Sequence, residues 1–234
     1  MQQNTDSIES LKEETRQLVG HQLPKETFYD FTHPNNRMLV AVTSLRAGYA
    51  DVAYKLFQTI AEEGPKENAN HHFAYVRSLI EMAEMDAQAG RFSQAETLME
   101  QALEAYPESM GYMMSRVHLE VYLAYYKFYA GKKEEAMKQI ESICKREQQK
   151  FEALPEHDAK SLIGPGLCYA IHQYALFYAV DGAWIQAVNK MKEMLPYAPA
   201  IDPAAVQEAE RLLAGEKAEE AFNRYTEAIC YNDA

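Results

Sequence analysis

The residues most able to do chemistry in this chain are its histidines and cysteines, and their spacing is a first test of function. The three cysteines (Cys144, Cys168 and Cys230) form no CxxC pair, and their odd, wide spacing is typical of reduced thiols in a cytosolic protein. The histidines show neither HExxH nor HxxxH spacing, the patterns that place two imidazoles on one helix face for a metal. The seven histidines are His21, His33, His71, His72, His118, His157 and His172. The sequence therefore predicts no metal site and no cofactor.

Sequence motifs for covalent or phosphate chemistry are missing as well. There is no GxSxG nucleophile motif, no GxGxxG motif and no other glycine-rich phosphate loop. We interpret Gly164-Pro165-Gly166 as a turn signal, and His71-His72 as helix-start residues that cap the helix or face solvent. Carboxylates are plentiful, but they lie in acidic helical stretches where solvation is the usual role. The sequence predicts a chain that is not an enzyme.

The charge and hydropathy of the chain limit its partners. A net charge of −12 argues against nucleic acid, because phosphate binding needs clustered Lys and Arg. Residues 161–180 carry no charge, but Pro165 between two glycines would interrupt a membrane span. We therefore expect a buried helix that begins near Pro165. The first residues have neither a basic nor an apolar leader segment, so we expect a cytoplasmic protein with no membrane partner.

Four glycines with matching neighbours reveal an internal repeat. Each has an alanine seven residues before it and another five residues after it. The triplets are Ala41-Gly48-Ala53, Ala83-Gly90-Ala95, Ala124-Gly131-Ala136 and Ala175-Gly182-Ala187. Because an internal repeat decides the architecture, this pattern outweighs local propensity.

Each glycine is predicted to join two antiparallel helices. Glycine readily takes the left-handed conformation that ends a helix, and alanines near the turn let the two helices approach closely. Large apolar residues nine positions after each glycine extend the buried stripe of the second helix: Phe57, Met99, Ile140 and Met191. Prolines seventeen positions after three of the glycines end their helices, whereas the third second helix is predicted to run to about Ala153.

The paired alanines, the turn glycine, the large apolar residue and the terminal proline resemble the tetratricopeptide repeat family over residues 34–199. The resemblance implies an all-α fold, a right-handed α-solenoid of four antiparallel helix pairs. The intervals of 42, 41 and 51 residues between the glycines exceed the usual repeat of about 34, so this is a long-repeat variety. The family's glycine–tyrosine signature is also missing from the first helices.

The two ends of the chain lie outside the four predicted pairs. Residues 1–33 hold an amphipathic helix at about Ser7 to Val19 and a connector, read as an N-terminal cap or alternatively as a docking or dimerisation arm. Residues 200–234 are predicted to be a degenerate capping pair with helices at 203–213 and 218–230. Its turn is shifted, since Ala221 stands six rather than five positions after Gly215.

The resemblance also implies where a ligand binds, because first helices line the concave groove in this family. The face opposite the packing alanine becomes strongly aromatic in the third and fourth pairs, and we expect it to bind a protein or peptide. Several of these tyrosines could instead belong to the core between repeats. The candidate binding residues are Arg77, Glu84, Gln88, His118, Tyr122, Tyr125, Tyr129, Tyr169, His172 and Gln173.

The leading expectation is a non-catalytic protein- or peptide-binding module. A carboxylate clamp of the family's chaperone-binding type is disfavoured, since Met38 and Val42 stand where Lys and Asn would be needed. Two alternatives stay open at this point: a peptide-responsive regulator of the bacterial long-repeat type, and a structural subunit that forms oligomers, including a homodimer through the N-terminal arm.

Overall fold

The computed structural model describes residues 2–107, 109, 111 and 115–230, and in them the chain is all-α apart from one short strand pair. The strands, β1 (Ala200–Ile201) and β2 (Ile229–Cys230), pair antiparallel. The helices in the described residues are α1 (Gln2–Val19), α2 (Pro34–Arg46), α3 (Ala50–Ala61), α4 (Ala69–Gln88), α5 (Phe92–Glu104), α6 (Arg116–Tyr129), α7 (Lys133–Glu152), α8 (Glu156–Leu162), α9 (Gly164–Val180), α10 (Trp184–Met194), α11 (Pro203–Ala214) and α12 (Ala218–Ala228).

The predicted turn glycines end the first helix of each pair as expected. Gly48, Gly90, Gly131 and Gly182 all have positive φ, between 73° and 90°. At the first turn, the Gly48 N–H bonds the Leu45 carbonyl and the Tyr49 N–H bonds the Ser44 carbonyl, at 3.0 and 2.9 Å. This pair of bonds is the Schellman motif, which satisfies carbonyls that a helix end leaves open. The same two bonds recur at the other three glycines.

The last helix pair uses the same turn with a different residue. Gly215 has φ −85°, and Glu216 takes the left-handed conformation at φ 61° instead. The Glu216 N–H bonds the Leu213 carbonyl and the Lys217 N–H bonds the Leu212 carbonyl, at 3.1 and 3.0 Å. Counted from Glu216, the flanking alanines fall at the standard positions, Ala209 and Ala221, and both are fully buried. The shift predicted from Gly215 is therefore the regular pattern displaced by one residue.

The alanines that flank the turn glycines are buried in each pair. All eight alanines that flank the four glycines have no exposed surface. The residues nine positions after the glycines (Phe57, Met99, Ile140 and Met191) are also fully buried, and the equivalent residue of the last pair is Tyr225. Interiors of this density leave no room for extra methylenes, so the small side chain is required at these crossings.

The chain divides into two compact units, residues 1–110 and residues 111–234. In the first unit α2 packs on α3 and α4 on α5, and the second pair packs on the first through α2–α4 and α3–α4 contacts. In the second unit α9 packs on both α6 and α7, and α10 packs on α12. Consecutive pairs are therefore stacked within each unit.

The N-terminal segment packs on the first pair of its own unit. Helix α1 contacts α2 and α3, and Leu11 and Val19 are buried there. Two 3₁₀ turns, Gly20–Gln22 and Lys25–Phe28, connect it to α2, and Phe28 stacks on Phe31 at 5.9 Å. At the other end of the chain, residues 231–234 of the predicted capping pair lie outside the described residues.

The long third interval contains a helix that the sequence did not predict. Helix α7 ends at Glu152, close to the expected Ala153, and the seven-residue α8 then precedes α9. The Gly164-Pro165-Gly166 segment is not a turn: it forms the start of α9, with Pro165 in the first helical turn. Gly164 is needed there because a Cβ atom would lie 2.6 Å from the Tyr197 carbonyl oxygen.

Candidate functional site

Five aromatic side chains of the second unit form two groups on α6 and α9, and the buried Tyr126 joins them, at 6.4 Å from Tyr122 and 5.9 Å from Tyr125. His118 stacks on Tyr169 at 4.5 Å between ring centroids, and Tyr122 meets the edge of Tyr169 at 6.1 Å. Farther along α6, Tyr125 and Tyr129 lie 4.6 Å apart. The repeat positions these rings, because α6 and α9 are the first helices of consecutive pairs and pack directly on each other. We call His118, Tyr122, Tyr125, Tyr129 and Tyr169 the aromatic surface.

The aromatic surface is partly open to solvent. Tyr122 and Tyr129 are each 42% exposed, while His118, Tyr125 and Tyr169 are half-buried. Burial raises the pKa of Tyr125, and the neighbouring Tyr129 adds to this effect. The Tyr125 phenol is therefore neutral near pH 7, and the surface offers ring faces and hydroxyl groups to a partner.

Buried aromatic residues support this surface from beneath. Tyr126 and Phe128 are only 3% exposed and so belong to the core. Phe128 stacks face to face on Phe177 of α9 at 4.3 Å, and Tyr126 lies 5.9 Å from Tyr125. Stacking below the surface fixes the separation of α6 and α9 and therefore the spacing of the exposed rings above.

The two histidines predicted for this region lie in different surroundings. His118 belongs to the aromatic surface, whereas the ring of His172 lies 6.5 Å from Phe222 of α12, in the last helix pair. Burial lowers the pKa of both imidazoles. Both rings are therefore neutral at physiological pH, and each offers its ring face for packing and its ring nitrogens for hydrogen bonding. Gln173, the next residue, is half-buried on α9.

The three candidates of the second pair lie on α4, in the first unit. Arg77 is ion-paired with Glu81 one turn on, and its Nε donates to that carboxylate at 2.6 Å. Glu84 and Gln88 are exposed, with 3.5 Å between the Gln88 amide nitrogen and the Glu84 carboxylate. Seven of the ten predicted residues thus lie in the second unit and three in the first, and the aromatic cluster involves five of those seven.

Cys144 and Cys168 are buried free cysteines. Burial raises the pKa of the Cys144 thiol and of the Cys168 thiol to about 12, so neither is a thiolate near pH 7. No group of three or more His, Cys, Asp or Glu side chains within the described residues has the arrangement of a metal site.

The adjacent His71 and His72 do not cap α4, contrary to one of the two roles predicted for them. Asn68 caps the helix by accepting from the backbone N–H groups of Asn70 and His71. Both histidines are half-buried, so they do not face solvent freely either. His72 accepts from the Lys66 N–H and donates to the Ala105 carbonyl, at 3.3 and 2.8 Å. His72 thus connects the loop before α4 to the end of α5. No sequence pattern predicted this role.

None of the helices in the described part of the chain combines the length and the apolar character that a membrane crossing requires. A search of protein-family models and a search of curated proteins each returned no match for this chain.

Proposed function

We propose that this protein is a non-catalytic protein- or peptide-binding module of the tetratricopeptide type, and that the aromatic surface of its second unit is the binding site. The observation that carries the proposal is the pair of tyrosines, Tyr122 and Tyr129, that stay 42% exposed although both touch other rings. Single exposed aromatics are ordinary, but a connected group on two packed helices is typical of binding surfaces.

The family assignment rests on the turns and on the packing within each unit. Five Schellman turns with buried alanines on both sides, one of them at Glu216, repeat one local structure through the chain. The first helices of consecutive pairs also touch each other within a unit, as α2–α4 and α6–α9. A right-handed solenoid of the whole array is part of the proposal, as is a cytoplasmic location.

The chemistry of the aromatic surface favours an extended or helical peptide with apolar and aromatic side chains. Tyrosine rings supply large contact areas at a low entropic cost, and their hydroxyls can bond a peptide backbone. On α6 the Glu120 carboxylate accepts from Arg116 at 3.1 Å and from Arg146 at 2.5 Å, so its charge is compensated. A surface rich in neutral rings selects among peptides by their shape more than by their charge.

A random peptide library displayed on phage gives a direct test. Peptides selected on the wild-type protein should lose at least about tenfold in affinity for a Tyr122→Ala/Tyr129→Ala double variant, since such aromatic anchors contribute about 2 kcal/mol or more when they dominate an interface. A Tyr125→Ala/Tyr169→Ala double variant should lose binding as well. Fluorescence polarisation with labelled peptides measures the affinities.

The matched control is Tyr49→Ala, which removes a tyrosine of similar exposure, 39%, from the first unit. It should leave the affinities unchanged. Circular dichroism verifies that each variant is folded. Selected peptides that bind both folded double variants as tightly as they bind the wild type would place the binding site elsewhere.

The alternative functions carry predictions of their own. A peptide-responsive regulator would use the same surface and would need a further output, and an oligomerising subunit would need a free arm. Because α1 packs on α2 and α3, the docking-arm alternative requires that helix to leave its own unit. Light scattering with and without residues 1–33 tests this: an oligomer that becomes a monomer on truncation would favour the oligomerising subunit.

A further inference from the structure

We propose a second binding site in the first unit, separate from the aromatic surface: a pocket for a small organic anion that carries an aromatic ring. The pocket has a volume of about 420 Å³ and is lined by Arg16, Gly20, Lys25, Phe28 and Tyr29. It lies where α1 passes into the two 3₁₀ turns before α2. Ligand pockets commonly have volumes of about 300–1,000 Å³, so a small molecule fits this one.

Two cationic side chains give this pocket its specificity. One N–H group of the Arg16 guanidinium donates to Glu13 at 2.8 Å, and its other donors have no acceptor among the described residues. Lys25 is exposed and forms no ion pair within the described part of the chain. A guanidinium and an ammonium group with free donors are the side chains that bind carboxylate, sulfonate or phosphate groups.

The aromatic part of the ligand is inferred from the walls of the pocket. The Arg16 guanidinium carbon lies 5.6 Å from the centroid of the Phe28 ring, so the two side chains form a cation–π contact. Phe28 is held in place by stacking on Phe31. Tyr29 is 75% exposed, the highest exposure among the large apolar and aromatic residues of the described chain. An aromatic ligand would cover this ring and lie against the guanidinium plane.

Two other cavities of the same unit have carboxylates in their linings. The cavity between α1 and α3, of about 400 Å³, is lined by Glu14 and Glu62 as well as Lys55. The cavity beside Tyr54, of about 450 Å³, contains the buried Asp86. Among these three cavities, only the pocket at Arg16 and Lys25 has cationic groups and no carboxylate in its lining. In a chain of net charge −12, two cations in a lining without a carboxylate reduce the repulsion of an anion at this pocket.

Two dyes that differ chiefly in one charge test the proposal. The probe is 1-anilinonaphthalene-8-sulfonate, an aromatic anion whose fluorescence rises in apolar sites, and the control is the neutral N-phenyl-1-naphthylamine. Titration of the wild-type protein should show saturable binding of the anion. Arg16→Gln and Lys25→Gln should each weaken that binding by about tenfold or more and change binding of the neutral dye by less than about twofold.

Lys55→Gln is the matched control, because it removes one positive charge from the neighbouring cavity between α1 and α3. It should leave the affinity for the anion unchanged. Equal binding of the anionic dye to wild-type, Arg16→Gln and Lys25→Gln proteins would overturn the proposal.

A second comparison separates this site from the proposed peptide site. The Tyr122→Ala/Tyr129→Ala variant should bind the anionic dye like the wild type, and Lys25→Gln should bind selected peptides like the wild type. Loss of dye binding in the tyrosine variant alone would instead assign the dye to the aromatic surface and refute the pocket.

Discussion

Helices α4 and α6 perform the same structural task and present different chemistry to solvent. Each is the first helix of a pair, ends in a Schellman turn at a glycine, and buries an alanine seven residues before that glycine. Yet the candidate face of α4 carries Arg77, already ion-paired with Glu81, together with the exposed Glu84 and Gln88. The corresponding face of α6 carries Tyr122, Tyr125 and Tyr129.

The turn and the buried alanine that α4 and α6 share fix the backbone of both helices, whereas their outer faces differ. The turn glycine and its two alanines are fixed by backbone conformation and close packing. The residues between them that point away from the partner helix meet no such requirement. Substitutions in the repeat positions should therefore cost stability in both units, whereas substitutions on the outer faces should affect binding, and only in the second unit.

The largest effect is expected inside α6, where core and surface alternate between neighbouring residues. Phe128→Ala should lower the free energy of unfolding by about 3–5 kcal/mol, because it removes a buried ring stacked on Phe177. Tyr129→Ala, at the next position, should cost about 1 kcal/mol or less. Urea denaturation followed by circular dichroism measures both. Similar losses for the two variants would show that the aromatic surface is itself core.

Equal effects in the two units are expected for the packing alanines. Ala83→Leu in α4 and Ala124→Leu in α6 should each lower the free energy of unfolding by about 1–3 kcal/mol, because neither position has room for three more carbons. Ala89→Leu is the control, since Ala89 is exposed at the end of α4. A clear loss in one unit and none in the other would contradict a common backbone.

A smaller pair of effects, of opposite sign, is expected at the turns. Gly48→Ala should lower the free energy of unfolding by about 1 kcal/mol, because its φ of 88° is unfavourable for a residue with a Cβ atom. Glu216→Gly should raise it by up to about 1 kcal/mol, since Glu216 holds the same conformation without being glycine. Thermal and urea denaturation of both variants give the two signs. If Glu216→Gly is destabilising, the glutamate side chain has a role beyond the turn.

The smallest effect is a pH dependence that arises from the second unit. Burial lowers the pKa of His118 and His172 in the folded state, so the unfolded chain binds more protons as the pH falls. These two residues therefore contribute stability that is present above the unfolded pKa of about 6.5 and declines below it. The slope of unfolding free energy against pH between about 5 and 7 should be shallower in a His118→Phe variant. An unchanged slope would mean that His118 does not titrate differently on folding.

The sequence predicted the parts of the fold that follow from local chemistry. The turn glycines, the buried alanines and the extension of α7 to about residue 153 follow from backbone conformation and helical periodicity, and the structure confirms them. Glu216 was missed because a left-handed non-glycine residue costs only about 1–2 kcal/mol, which the hydrogen bonds of the turn can offset. Helix α8 was missed because seven residues are too short to show a helical period.

The candidate surface was only partly predictable for a different physical reason. Helical spacing places Tyr122, Tyr125 and Tyr129 on one side of α6, and they are indeed neighbours. Which of them is exposed depends on α9, a helix more than thirty residues away in the sequence. Tertiary packing also decides that His172 lies beside Phe222. The pocket of Arg16 and Lys25 likewise forms only when α1 packs beside the 3₁₀ turns.

The contact of Gly164 with the Tyr197 carbonyl limits how this chain can be recombined. The helix pairs share the same turn hydrogen bonds, so their turns could be exchanged. At the first residue of α9, however, the Tyr197 carbonyl leaves no room for a side chain. Eighteen residues before their own turn glycines, where Gly164 stands before Gly182, the first two pairs have Asp30 and His72, so a hybrid that placed either pair in the position of α9 would bring a Cβ atom against that carbonyl. Repeats taken from this protein for designed arrays should therefore be exchanged at their glycine turns, with α9 kept next to the segment that ends α10.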